Sequence, residues 1–199
     1  MVEESELNRA VAALTAGQPV VFPTDTVYGI GVAVGLAPSP QAIFVDKRRD
    51  ANKAIPWLVG SSAALSRYGR DVSQLAFDMV SQFWPGPLTL IVKAGDNVPD
   101  AFRGPRGTIA LRMPNDPVAL ELIDRVGFPI ATSSANFQGE KPPQTLASVN
   151  GEFAAQVPVV LGDDIPRSGV SSTIVDCTSD HPQILRVGAI TADDFKMLL

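Results

Sequence analysis

The sequence predicts an α/β or α+β fold, a β-sheet with helices packed on it. Three observations lead there. Short apolar runs of strand length are intermixed along the whole chain with amphipathic stretches of helical period. The seventeen prolines cluster at the ends of the strand-like runs, and strand ends with their loops are where open sheets gather active sites. No internal repeat or low-complexity linker interrupts the 199 residues, so a single domain over 1–199 is expected.

Taken in order, residues 3–16 carry Leu7, Ala10, Val11 and Leu14 at helical spacing and stop at Gly17, a C-capping residue. Pro19 to Phe22 reads as a short buried strand ending at Pro23. Ser39-Pro40 supplies an N-cap and a first-turn proline for a helix running to about Lys47. A strand is expected over Ile55 to Val59, and a helix over 71–83 with Leu75, Met79 and Phe83 on one stripe. Strands follow at 88–93 and 108–112, a helix at 116–126, strands near 128–132, 157–161, 172–176 and 183–187, and a helix at 191–199.

Composition narrows the chemistry. Hydrophobic residues make up 45% and charged residues 19%, as in globular rather than disordered chains. The one cysteine, Cys177, leaves no internal disulfide or cysteine-cluster metal site, and its apolar neighbours mark it as a small buried hydrophobe. The one histidine, His181, precedes Pro182 in a polar turn, so histidine triads and multi-histidine zinc sites are out. No apolar run reaches the roughly 20 residues of a spanning helix, and the acidic start Met1-Val2-Glu3-Glu4 is unlike a secretory signal. A cytoplasmic protein with no membrane partner is expected. The net charge of −5 is opposite in sign to that of a dedicated nucleic-acid binder.

Five segments have the composition of a site. Pro23 to Gly31 joins hydroxyls, a carboxylate and a phenol to glycines; it is equally a capped polar turn and a pocket for a small ligand's amine and hydroxyl. Lys47 to Lys53 holds four cations in seven residues, either a helix end complementing its dipole or a polyphosphate clamp. There is no Walker-type glycine loop, so any ATP would be held by side chains. Around the strand ending at Arg112 lie Arg103 and Arg106; Arg112 either pairs with a protein carboxylate or grips an anionic ligand. Ala131 to Asn136 offers three hydroxyls and an amide, suited to a nucleotide or to a helix cap. Gly169 to Asp176, with Arg186 beyond it, is by itself a loop entering a strand.

In this order and spacing the segments resemble the YrdC family of threonylcarbamoyl-AMP synthases. The matching motifs are PTDTVYGIG at 23–31, Lys47 and Arg49, WPGPLTLIV at 84–92, GTIALRMP at 107–114, Ser134-Ala135-Asn136 and SSTIVD at 171–176. The resemblance spans roughly 8–190 and is to the family's short form. It implies a twisted, mixed sheet with a cationic concave groove, and condensation of L-threonine, bicarbonate and ATP, accompanied by Mg2+, into threonylcarbamoyl-AMP and pyrophosphate for tRNA modification. It places Thr26, Arg112, Thr132 and Ser172 on threonine, and Arg49, Lys53, Thr108, Ser134, Asn136 and Arg186 on ATP. Lys47 and Arg49 fall on the catalytic phosphate side, and no protein ligand to a metal is assigned. Downstream tRNA threonylcarbamoyl-transferase proteins are the implied partners. Arg48, Asp50 and Ala54 depart from the family's Lys-Gly-Arg-Pro pattern and the proline after it, and Leu58 stands where several relatives carry a threonine-contacting histidine.

Two rivals share the fold: a carbamoyl-adenylating enzyme of the hydrogenase-maturation type, which belongs to much longer chains, and a double-stranded-RNA or ribosome-binding protein. Phosphate-binding cations would serve RNA as well as ATP. Thr26 and Ser172 beside an arginine would serve only the amino acid.

Overall fold

Glu4–Thr15 forms the first helix, α1, and Gly17 follows it with φ +73°, a left-handed conformation that glycine adopts at no steric cost. The computed structural model describes residues 2–44, 55–163 and 165–196. The strands are β1 (Val20–Phe22), β2 (Gly29–Ala33), β3 (Pro56–Leu58), β4 (Gly69–Arg70), β5 (Leu88–Ala94), β6 (Thr108–Arg112), β7 (Ile130–Ser134), β8 (Val159–Val160), β9 (Thr173–Asp176) and β10 (Gln183–Arg186). The further helices are α2 (Ala64–Tyr68), α3 (Gln74–Phe83), α4 (Pro117–Val126) and α5 (Gly151–Ala154). All ten strands join one mixed sheet in the order β10-β9-β5-β6-β3-β7-β2-β1-β8, with β4 added on β5. Parallel pairs (β1 with β8, β3 with β6, β5 with β9) sit among antiparallel ones.

Side chains alternate across the sheet with period two. Val21, Trp57, Leu88, Leu90, Ile109, Leu111, Ala131 and Val175 point into one apolar cluster shared with Met79 and Val80 of α3. Their neighbours Val20, Phe22, Leu58 and Ile130 point to the other face, where α1 and α4 cover them through Leu7, Leu14, Leu122 and Ile123. α4 is sharply bounded. Asp116 Oδ1 accepts from the Val118 and Ala119 amides, each at 3.0 Å, Pro117 opens the helix, and Gly127 closes it at φ +74°.

The expected boundaries shift in physical ways. The segment after Ser39-Pro40 is a single 3-10 turn, Pro40–Ile43, and its expected continuation to Lys47 lies outside the described residues. α3 starts at Gln74 rather than 71, because Ser73 accepts from the Ala76 amide and is the cap. β7 sits two residues later than expected. At the C-terminus a 3-10 turn, Ala192–Phe195, replaces the expected helix as far as the described residues run.

β2 lies partly within the motif that reads in sequence as a capped polar turn or a ligand pocket. Its glycines are packing residues: a Cβ on Gly31 would lie 2.4 Å from Ile130 Cγ2 and 3.0 Å from the Ala131 carbonyl on β7. Gly31→Ala is therefore expected to lower stability by about 1–3 kcal/mol through overpacking, a fall of about 2–4 °C in Tm per kcal/mol at this size. Thermal unfolding of the variant checks this; an unchanged Tm would mean that β7 yields freely.

Candidate functional site

α1 and α4 cover only part of their sheet face. The remainder, on β7, β3, β6, β5, β9 and β10, forms the wall of a cavity of about 660 Å³. The strand period decides most of what reaches it: Pro56 and Leu58, Thr108 and Arg112, Thr89 and Ile91, and Ile174 and Asp176 line it, while Trp57, Ile109, Leu111, Leu90 and Val175 enter the opposite core; at the end of β7, Thr132, Ser133 and Ser134 all line it. Thr24, Thr26 and Val27 arrive from the β1–β2 connection, and Ser171 and Ser172 from the run into β9. The site thus spreads along strand faces rather than gathering only at strand ends.

Seven of the expected residues meet here: Thr26, Thr108, Arg112, Thr132, Ser134, Ser172 and Arg186. Asn136 does not line the cavity. It is buried, donating from Nδ2 to the Phe137 and Glu140 carbonyls at 2.8 and 3.0 Å, while its Oδ1 has no hydrogen-bond partner among the described residues. Lys47, Arg49 and Lys53, and with them Arg48, Asp50 and Ala54, lie outside the described residues. Leu58 makes its part of the wall apolar.

Arg112 resolves its two alternatives in favour of a protein partner without closing the other. Nη2 meets Asp25 Oδ1 at 2.5 Å, Nε donates to the Gly86 carbonyl at 3.1 Å, and Nη1 donates to Thr26 Oγ1 at 3.1 Å. A guanidinium has five N–H groups, so two remain beyond these three contacts. Thr26 is itself held by the Thr24 hydroxyl at 3.0 Å. Also on the cavity wall, Ser172 Oγ lies 2.9 Å from Thr89 Oγ1 and accepts from Arg186 Nη2 at 3.1 Å.

Arg186 also donates to the Ser172 carbonyl through Nε and Nη2, at 3.0 and 2.8 Å. Its pKa is lowered by burial and then by the positive charge of Arg112. Among the described residues the ionisable lining is Arg106, Arg112 and Arg186 against one carboxylate, Asp176. Such a concavity favours anions. Arg103, by contrast, is structural: it pairs with Asp100 at 3.1 Å and donates to the Val98 carbonyl.

Thr24, Asp25, Thr89 and Asp176 were not assigned from the sequence. All four lie inside motifs that the sequence singles out, at 23–31, 84–92 and 171–176, and Thr89 is further marked as a hydroxyl inside the apolar run of β5. Cys177 is buried, and burial pushes its thiol up to about 12, consistent with an inert core residue. His181 is exposed in the turn before β10.

The family model described as telomere recombination, Sua5/YciO/YrdC, matches residues 12–188. The chain belongs to the Sua5/YciO/YrdC family. A threonylcarbamoyl-AMP synthase of Pyrococcus abyssi is 31% identical over 198 residues, covering 100% of this chain but 58% of that protein. A putative threonylcarbamoyl-AMP synthase of Mycobacterium tuberculosis is 36% identical over 190 residues, covering 96% of this chain and 87% of the relative. In structure, P. abyssi Sua5 complexed with L-threonine superposes with a TM-score of 0.91 at 31% identity, covering 100% of this chain and 58% of that one. This Sua5/YciO/YrdC chain therefore spans little more than half of the Pyrococcus protein and most of the mycobacterial one. No helix among the described residues is long and apolar enough to cross a membrane.

Proposed function

We propose that the chain condenses L-threonine, bicarbonate and ATP into L-threonylcarbamoyl-AMP and diphosphate, the activated group being passed to a tRNA-modifying transferase in the cytoplasm. The observation that carries this reading is the pairing of two unlike halves in one cavity. Thr26 and Arg112 suit an amino acid's polar groups, while Arg186, Thr108 and Ser134 suit a nucleotide.

In this reading the threonine carboxylate takes the N–H groups of Arg112 left over from Asp25, Gly86 and Thr26. The threonine amine attacks bicarbonate-derived CO2 to give a carbamate, and a carbamate oxygen then attacks the α-phosphorus with pyrophosphate leaving. In the adenylation step the carbamate and the phosphates of ATP are all anionic. The excess of arginine over carboxylate offsets their mutual repulsion, and orientation in a preformed cavity supplies much of the remaining acceleration. Mg2+ enters with the phosphates of ATP, its usual carriers; among the described residues no group of three His, Cys, Asp or Glu side chains forms a cage for it.

Lys47→Ala and Arg49→Ala are each expected to lower kcat/KM by about a hundredfold or more, as for removal of a donor to developing phosphate charge, with Tm unchanged. Wild-type kcat/KM in either variant would remove that residue from the phosphate clamp. The reading as a whole is tested by pyrophosphate release from ATP with L-threonine or bicarbonate omitted in turn. It requires release to stop in both cases.

A further inference from the structure

Behind the cavity wall lies a charge cluster that the proposed reaction does not use. Arg167 is buried between two carboxylates: Nη1 lies 3.1 Å from Asp116 Oδ2, and Nη2 lies 2.6 Å from Asp163 Oδ1. Its guanidinium carbon stands 5.7 Å from the centroid of the Tyr28 ring, and the Tyr28 hydroxyl donates to the Asp163 carbonyl at 3.0 Å. Asp116 is at the same time the N-cap of α4. Three parts of the chain distant in sequence are thus tied together: the end of the PTDTVYG motif, the start of α4, and the loop that leads into β9.

As a stability device this cluster cuts both ways. One cation and two carboxylates are taken out of water, Arg167 Nε has no partner among the described residues, and burial pushes the Asp116 carboxyl above its usual range, while against the effect of burial Asp116 and Asp163 hold the Arg167 guanidinium above its ordinary value. Buried ion clusters of this kind often stabilise no more than an apolar replacement does, and their best-attested use is to fix one arrangement among several. What this one fixes is visible in the loop. The Arg167 amide donates to the Gln144 carbonyl at 2.8 Å, and two residues on the Gly169 amide donates to the carbonyl of Thr26 at 2.8 Å. Ser172 follows, three residues later, on the cavity wall.

We propose that Arg167 is a positioning residue: through Asp116, Asp163 and Tyr28 it locks the loop 165–172 onto the segment 24–28, and so sets Thr26 and Ser172 on the cavity wall at the spacing the amino-acid substrate needs. Arg167 touches no substrate. The inference rests on the threonine reading above for its kinetic consequence, but the lock itself is independent of that reading.

The test uses Arg167→Lys and Asp163→Asn. Lysine keeps the charge but cannot span both carboxylates with one planar fork. Asparagine keeps the shape and leaves Arg167 its Asp116 partner, so this variant retains a paired cluster and the α4 cap. With both variants assayed well below their melting temperatures, KM for L-threonine is expected to rise about tenfold or more, the scale on which small misplacements act, with KM for ATP within about twofold of wild type. Hydrogen exchange of the Gly169 amide is expected to accelerate in both. Wild-type KM values and unchanged Gly169 exchange, alongside a lowered Tm, would make the cluster structural only and overturn the proposal. If wild-type pyrophosphate release proved independent of threonine, the reaction assigned above would fall instead, and Gly169 exchange would still decide whether Arg167 holds the loop.

Discussion

Arg112→Lys is expected to weaken L-threonine binding by about one to two decades, the worth of a charge-assisted hydrogen bond of about 1.5–3 kcal/mol, with ATP affinity changed much less. A lysine keeps the charge but not the planar fork. Stability is affected too, because Arg112 also holds Asp25, Thr26 and the Gly86 carbonyl, and one ammonium cannot serve three partners in three directions. Tm should therefore fall as well. The two effects are separated by Asp25→Asn, which removes the ion pair and leaves the guanidinium in place. Calorimetric titration decides the matter. If Arg112→Lys binds threonine as wild type does while Asp25→Asn and Arg112→Lys lose stability equally, Arg112 serves the strand end alone.

Arg186→Met is expected to leave stability nearly unchanged. Among the described residues Arg186 has no ion-pair partner; its hydrogen bonds go to Ser172, and both burial and Arg112 disfavour its charge. In sign terms, a cation whose pKa is depressed on folding costs stability wherever the unfolded chain would be protonated, here across the whole neutral range. Replacing it with an unbranched apolar side chain removes that cost and loses the bonds to Ser172. The net change should stay within about 1 kcal/mol, or about 2–4 °C in Tm. ATP affinity should nonetheless drop about tenfold or more, because a charge-assisted contact to phosphate is lost. Unchanged ATP affinity, or a large drop in Tm, would contradict an anion-binding role.

What could be read in the sequence follows from the range of the interactions concerned. α4 was legible because its signals are local: Asp116 caps it, Pro117 opens it and Gly127 ends it. β6 was legible because Arg112 terminates an apolar run. β2 was not, since Gly29 and Gly31 look like loop residues until β7 is seen pressing against them. α2, at five residues, is too short to show a period. Within the site, motif residues such as Thr26, Ser172 and Arg186 could be named, but their meeting on one sheet face depends on the pairing of β6, β5 and β9. The cluster of Asp116, Asp163 and Arg167 was invisible for the same reason. Its members look like surface charges in the sequence, and only the fold brings the α4 cap beside the loop into β9.

The central claim, that one cavity joins threonine to the adenylate of ATP through a carbon taken from bicarbonate, is tested most directly by following labelled bicarbonate. The protein is incubated with ATP, Mg2+, L-threonine and carbon-labelled bicarbonate, and the products are separated by mass. The account predicts a product containing threonine, the labelled carbon and AMP, formed in step with pyrophosphate and absent when threonine is left out. Pyrophosphate released equally without threonine, or an AMP product carrying no label, would contradict it.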